Sequence, residues 1–315
     1  MKTIKLLFVS FLALASFSAC TNTVYIEDDY VEPSITLNQL IHSYELWYID
    51  INQSTVNGNI PFMQIAFTLS FRNGTLYANN NMVGFGSNGN GYGIDVGYYD
   101  AYGSTLQLDH DLDGVWNFSV QQLGTNTIEL YNYETDSSFV LRGYQRSTFD
   151  YDYVFYENIH YFLQEYEAWE KVYTSQEGAI NDFDAENFLA FLSDGYGDTF
   201  LSSIDGNGTP VSNIYWDYEG IYEVLNVDGD VYAKVLTLDY DYLGNEYFEL
   251  YVINDETVEL YHPYSGTTYR FKGRGYIQYM RSANAKGKTS SEETRKLRVK
   301  ENNRTFKAEE FKSLK

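Results

Sequence analysis

The sequence predicts an all-β protein: two tandem antiparallel β-barrel or sandwich domains, each entered through a short helix. Three observations carry this expectation. Blocks of sequence recur at a constant interval. Short runs alternate apolar and polar residues between turn-forming dipeptides. Aromatic residues make up 18% of a 315-residue chain that has only 4 prolines, which leaves strand interiors free of the one residue that cannot join a ladder.

The repeat is explicit. Leu108-Asp109-His110-Asp111 with Gly114 recurs 130 positions later as Leu238-Asp239-Tyr240-Asp241 with Gly244. At the same interval Ile128-Glu129-Leu130-Tyr131 becomes Val258-Glu259-Leu260-Tyr261, and Phe139, Leu141, Arg142 and Gly143 become Tyr269, Phe271, Lys272 and Gly273. Near the start of each copy, Tyr44-Glu45-Leu46-Trp47 matches Tyr166-Glu167-Ala168-Trp169 at an interval of 122. The eight extra residues of the second copy are expected in longer loops around Asp205-Gly206-Asn207-Gly208. Two homologous domains over 37–148 and 158–281 follow from this.

Each copy reads alike from its start. Leu37, Leu40, Ile41 and Tyr44 are spaced for one face of a helix, as are Ile159, Phe162, Leu163 and Tyr166. Beyond each tryptophan the period changes to two. Ile65, Phe67, Leu69 and Phe71 alternate up to Asn73-Gly74, a hairpin signal, and Trp116, Phe118 and Val120 alternate as do Phe248, Leu250 and Val252. Asn57-Gly58, Asp194-Gly195 and Asp228-Gly229 add turns. About eight strands in each copy suit a closed or nearly closed sheet. The aromatic connector at 149–157 is too apolar for a free linker and predicts packing between the domains.

The N-terminus begins with Lys2 and Lys5, continues in an apolar run from Leu6 to Phe17, and ends in Ser18-Ala19-Cys20. That run is too short to span a bilayer and has the length of a secretory h-region. The arrangement resembles a bacterial lipoprotein leader over 1–20, although Phe17 stands where such leaders usually carry Leu. The resemblance implies that the thiol of Cys20, the single cysteine, receives a diacylglycerol and becomes the mature N-terminus. The chain would then be bound to the lipid bilayer through an acylated cysteine, with Thr21 favouring the outer membrane. The alternative is an ordinary signal peptide with an incidental cysteine. Residues 21–36, with Glu27-Asp28-Asp29 and Pro33, read as an acidic tether.

Charge narrows the function classes. Residues 21–281 hold 39 acidic and 9 basic side chains, a surface that repels a phosphate backbone, so no nucleic-acid partner is expected. Residues 282–315 reverse the sign, with ten Lys/Arg and five Glu, and read as a basic tail that is disordered or partly helical. One cysteine excludes a disulfide framework and a thiolate zinc site.

Few motifs carry chemistry. Asp109-His110-Asp111-Leu112-Asp113-Gly114 has the first six positions of a calcium loop, making Asp109, Asp111 and Asp113 the candidate metal ligands and calcium the one candidate cofactor. The twelfth position is Val120 rather than Glu, and an acidic turn between strands explains the same residues without metal. Gly84-Phe85-Gly86-Ser87-Asn88-Gly89 satisfies G-x-G-x-x-G but precedes more loop and a strand, not a helix, and reads as a glycine-rich loop. No histidine occupies the same position in both copies, and none is paired with ligands at metal or triad spacing, so no catalytic residue is expected. The 32 tyrosines suit either strand formation or surfaces that meet amphipathic ligands and protein partners.

The helix, the tryptophan-bearing first strand and about eight strands resemble the lipocalin-like domains of bacterial lipoproteins. Tyr44–Asn52, Gly89–Gly97 and Gly273-Arg-Gly-Tyr-Ile-Gln-Tyr-Met280 further resemble a lipoprotein group of Bacteroidota-type bacteria. Relatives in that group have carried the name nicotinic acid mononucleotide adenylyltransferase. Such nucleotidyltransferases have a doubly wound α/β fold and an H-x-G-H motif, and no two histidines stand three apart here. The leading expectation is therefore a lipid-anchored envelope module that binds a small amphipathic ligand or a partner envelope protein. The alternatives are an enzyme, either that adenylyltransferase or a hydrolase, and a pure spacer in an envelope complex.

Overall fold

The computed structural model describes residues 35–193, 198–241, 244–276, 297–298, 300 and 304–306. Cys20 and the stretch up to residue 34 lie outside the described residues. Helix α1 (Leu37–Ile41) is closed at its start by a capping box between Thr36 and Gln39. Strands β1 (Leu46–Thr55), β2 (Thr68–Arg72), β3 (Thr75–Asn79), β4 (Ile94–Tyr102), β5 (Thr105–His110), β6 (Gly114–Gly124), β7 (Thr127–Asn132) and β8 (Ser137–Tyr144) pair antiparallel in chain order, and β8 returns to β1 to close a barrel. The short helix α2 (Pro61–Ile65) lies between β1 and β2. It takes in Ile65, which alternation alone had placed on a strand; Pro61 presets the first helical residue and the strand begins at Thr68.

The second copy repeats the plan. Helices α3 (Tyr151–Glu157) and α4 (Ile159–Leu163) lead into β9 (Tyr166–Thr174), β10 (Phe188–Ser193), β11 (Asp198–Ser203), β12 (Tyr218–Val227), β13 (Asp230–Tyr240), β14 (Asn245–Asn254), β15 (Thr257–His262) and β16 (Thr267–Tyr276). The β11–β12 and β16–β9 pairings close this barrel too. The chain is therefore two tandem eight-stranded antiparallel barrels of lipocalin-like architecture, each preceded by a short helix. All strand pairs within them are antiparallel, which is not the side-by-side parallel sheet that a doubly wound nucleotidyltransferase requires.

One clasp closes both barrels. The indole Nε1 of Trp47 donates to the Ile41 carbonyl at 2.8 Å, and that of Trp169 to the Leu163 carbonyl at 2.7 Å, so each tryptophan satisfies an orphan carbonyl at its helix C-terminus. Opposite each tryptophan on the closing strand stands a glycine: Trp47 pairs with Gly143 and Trp169 with Gly273. The tyrosine three residues before the tryptophan lies on that glycine. A Cβ at Gly143 would stand 2.3 Å from the Tyr44 ring, and one at Gly273 would stand 2.4 Å from the Tyr166 ring. The two phenols then reach the carbonyls of Thr125 and Asp255, which are themselves 130 residues apart.

The extra length of the second copy is not in the Asp205–Gly208 loop, since the β3–β4 and β11–β12 connections are equally long. Most of it lies in the β12–β13 hairpin. Gly97 pairs with His110 thirteen positions on, and the equivalent Gly220 pairs with Tyr240 twenty positions on. A pair of longer strands thus projects from the second barrel.

The aromatic connector joins the barrels as a packed element. Phe149, Val154 and Phe155 belong to one apolar cluster with Tyr48, Phe67 and Phe85 of the first barrel and with Leu236 and Phe248 of the second. Polar bonds reinforce it. The chain entering the glycine-rich segment points its amides at carboxylates of the second copy: Met82 and Val83 N–H donate to Glu165 at 2.8 and 3.1 Å, and Gly84 N–H, the first of the segment, donates to Asp255 at 2.9 Å. The first amide of the G-x-G-x-x-G stretch thus receives a protein carboxylate.

Of the described residues of the basic tail, Lys300, Arg304 and Thr305 are exposed, and the others make contact with the body. Leu297 packs on the first core, Arg298 is buried, and Thr305–Phe306 (β17) runs parallel to β12 at Asn226 and Val227. Beyond β11 the projecting half of β12 has an open edge, which this short strand takes.

Gly143→Ala should lower stability by about 1–3 kcal/mol by urea denaturation, because the tyrosine ring must move. In a Tyr44→Ala background the same change should cost clearly less. Equal costs in the two backgrounds would show that the ring does not set the requirement for glycine.

Candidate functional site

The barrel closures align the two interiors residue by residue. Trp47 pairs with Leu69 and Leu69 with Ala78, as Trp169 pairs with Leu189 and Leu189 with Ser202. The amides of Ile49 and Lys171 donate to Phe67 and Asn187 at the same 2.8 Å, which makes Ile49 equivalent to Lys171 and Ala66 to Glu186. The glycine pairings equate His110 with Tyr240, and the β7–β8 and β15–β16 registers equate Phe139 with Tyr269. Five interior positions thus read Ile49, Ala66, Ala78, His110 and Phe139 in the first barrel and Lys171, Glu186, Ser202, Tyr240 and Tyr269 in the second.

The first interior is filled by apolar side chains. Phe62 of α2 enters it and stacks on His110 with ring centroids 5.0 Å apart, and it meets Phe118 edge to face. Phe118, Phe139, Leu106, Leu108 and Leu130 surround it, all fully buried. His110 Nδ1 accepts the Asp113 amide at 3.1 Å, so this histidine pins its own hairpin turn.

In the second barrel Phe183, on a 3₁₀ turn at Asp182–Ala185, plays the part of Phe62 and packs on Phe248, Tyr269 and Phe271. Around it the polar residues interlock. The Tyr240 hydroxyl donates to the Glu186 carboxylate at 2.7 Å, and Ser202 Oγ donates to the same carboxylate. Lys171 Nζ donates to the Asp184 carbonyl at 2.6 Å and lies 5.6 Å from the Tyr269 ring centre. The Tyr269 hydroxyl donates to Asp184 Oδ1 at 2.7 Å.

Burial pushes the Glu186 carboxyl up to about 7, against the hydrogen bonds from Ser202 and Tyr240, with Glu246 adding to the rise and Lys171 opposing it. Burial also lowers the proton affinity of Lys171, while Asp184 and Glu186 act the other way. Both phenols, Tyr240 and Tyr269, are held protonated, first by burial and then by the neighbouring carboxylates. The interior therefore holds an ammonium, a carboxyl that titrates near neutrality, and hydroxyl groups, in the same barrel as the buried Phe183, Phe248 and Leu250. Burying such groups costs free energy. The first barrel closes without any of them, so the fold itself does not require them.

The sequence-derived metal candidates are not brought together. Asp109 is exposed on β5, paired with Tyr98 and Val115, and Asp111 is exposed in the turn. The Asp113 carboxylate lies 3.7 Å from His110 Nδ1. Among the described residues no three His, Cys, Asp or Glu side chains are grouped to hold a metal ion. A different constellation arises at His262, whose Nδ1 lies 2.7 Å from Ser265 Oγ and whose Nε2 lies 2.8 Å from Glu246. This has the order of a hydrolase triad, yet the first copy places Asn132 and Thr135 in the same bond, with Thr135 Oγ1 donating to Asn132 Oδ1 at 2.9 Å. Ser265 Oγ is also bound to Thr267 Oγ1 and N–H. His262–Ser265 is the second copy's version of a hairpin staple, so a histidine shares a duplicated role although it shares no duplicated residue.

Lys171, Glu186 and Ser202 were not singled out from sequence. The signal was present as disagreement between the copies, but insertions between the tryptophan and β13 hide the alignment there. The tyrosines divide: Tyr222, Tyr240 and Tyr269 fill the second barrel, while Tyr98, Tyr133 and Tyr215 are exposed. Comparison with known protein families and with curated proteins finds no match to this chain.

The pH dependence has a definite sign. A carboxyl with an ordinary value of 4.5 that rises to about 7 on folding stabilises the protein fully below pH 4.5. That contribution, roughly 3 kcal/mol in all, is lost as pH rises through 7. Glu186→Gln should flatten the difference between urea midpoints at pH 4.5 and pH 8 relative to the unaltered protein. An unchanged difference would show that Glu186 titrates like an exposed carboxyl.

Proposed function

We propose that this protein is a lipid-anchored envelope binding module in which the second barrel recognises a small amphipathic ligand and the first is its structural support. The observation that carries the reading is the divergence of the copies: five interior positions that are apolar or turn-pinning in one barrel become Lys171, Glu186, Ser202, Tyr240 and Tyr269 in the other. Buried polar groups that the shared fold does without are the ones to assign to a ligand. Lys171 and the hydroxyl groups suit the polar end of such a molecule, and Phe183, Phe248 and Leu250 suit its apolar end.

The anchor rests on the leader. Two or three acyl chains on Cys20 would hold the chain at a bilayer, where one chain binds only marginally. Residues 21–36 are the tether in this reading, and the acidic body is repelled by anionic head groups.

Isotope-labelled protein titrated with fatty acids, aryl carboxylates and aromatic amines should show saturable chemical-shift changes on β9–β16. The triple variant Lys171→Ile, Glu186→Ala, Ser202→Ala, which installs the first barrel's residues, should abolish them. Binding that maps to the first barrel, or that survives in the triple variant, would overturn the assignment. Cys20→Ala should shift the protein expressed in a bacterial host from the detergent phase to the aqueous phase or leave it unprocessed, and unchanged partitioning would defeat the anchor.

A further inference from the structure

Arg298 stands in a seat built from parts distant in sequence. Nη1 donates to the Ala66 carbonyl at 2.6 Å, Nη2 to the Ile49 carbonyl at 3.0 Å and to Asn158 Oδ1 at 3.1 Å, and Nε to the same Oδ1 at 3.3 Å. The guanidinium lies over the Phe67 ring, 4.4 Å from its centre, with the Tyr48 ring at 5.7 Å. The residue is 3% exposed. Its backbone is held as well, with Arg298 N–H donating to Gln64 O at 2.8 Å.

The groups that line the seat have bonds of their own besides those to Arg298. Asn158 is oriented by its own amide, which donates to Val154 O at 2.9 Å and to the Tyr48 hydroxyl at 3.2 Å, leaving Oδ1 turned toward the guanidinium. The Ile49 and Ala66 carbonyls stand at the β1–β2 junction, and Phe67 is fixed there because its N–H and O bond Asn79 and Ile49. Three acceptor oxygens set around a planar, forked donor, with an aromatic face beneath it, match a guanidinium and not a point charge. Among the described residues no carboxylate hydrogen-bonds this guanidinium; its acceptors are two backbone carbonyls and an amide oxygen. An ammonium in its place would have no planar fork with which to reach three separated oxygens.

We propose that the junction between the first barrel and α3–α4 is a guanidinium-binding site, for which Arg298 of the basic tail is the ligand supplied in cis. The class of molecule it takes is a monosubstituted guanidine, whether the side chain of an arginine or a small free compound. The tail is thereby held to the first barrel by shape and hydrogen bonding at Arg298, while Thr305–Phe306 holds it to β12 of the second barrel, with Arg304 paired to Glu223. The attachment at 298 does not depend on the attraction between a basic segment and an acidic body.

The test uses the full chain. Arg298→Ala should melt at a lower temperature, and millimolar ethylguanidinium should raise it again in a saturable manner. Ethylammonium at equal concentration should not, and the unaltered protein, whose seat is filled, should respond to neither. Rescue by ethylammonium to the same extent, or an equal response from the unaltered protein, would overturn the proposal. If Arg298→Ala does not fold, Arg298→Lys keeps the charge and most of the stem. Limited proteolysis should then cut the tail of the lysine variant at least tenfold faster than that of the unaltered protein, without faster cutting inside 36–276. Equal protection of the two tails would show that charge alone holds the segment.

Discussion

Each barrel depends on one contact set: an indole that donates to the last carbonyl of the entry helix and a tyrosine ring laid on the glycine that faces that indole across the closing strands. A sheet closes only if its first and last strands meet at the right stagger, and nothing in alternation alone sets that stagger. The clasp does so. Tryptophan fixes where the helix ends against β1 or β9, glycine lets β8 or β16 pass beneath the tyrosine, and the phenol hydroxyl ties the hairpin before the last strand. Two copies separated by 122 residues at one side of the clasp and 130 at the other keep every element of it, which is why the interiors can be compared position by position.

That comparison makes the energetics informative. A single buried Lys–Glu–Tyr arrangement could be dismissed as one solution to packing. Here the other solution is in the same chain, with Ile49, Ala66 and Ala78 standing where Lys171, Glu186 and Ser202 stand. The apolar version avoids desolvating a carboxyl and an ammonium, so the polar version lowers stability for the same architecture. The Glu186 carboxyl near neutrality is the direct expression of that penalty.

The two barrels are also not independent beads. Phe149, Phe155 and Phe85 share one apolar cluster, carboxylates from one copy sit on amides of the other, and the tail crosses back with Arg298 at the first barrel and β17 at the second. The projecting β12–β13 hairpin, where most of the second copy's extra residues go, supplies the edge that β17 uses. Insertion, open edge and tail form one arrangement, in which a lengthened strand acquires a partner from the chain's own C-terminal stretch.

Some of this was legible in the chain by itself. Alternation after Trp47 and Trp169, the hairpin at Asn73-Gly74 and the recurring Leu-Asp-x-Asp blocks depend on local period and local backbone preference, and these belong to a few residues at a time. The helical membership of Ile65 was not, because an apolar residue between two periodic stretches fits either period. The acidic turn at Asp109, Asp111 and Asp113 resembled a ligand loop because spacing carries no direction; β5 keeps Asp109 on the outer face and the turn leaves Asp111 in solvent. Tertiary structure alone decided the rest. Glu186, Ser202 and Tyr240 are separated by insertions that break any constant interval, and they meet only when the barrel closes. Arg298 is one of ten basic residues in a segment that composition assigns to solvent, and only the placement of the Ile49 and Ala66 carbonyls and of Asn158 around its guanidinium shows that it is buried.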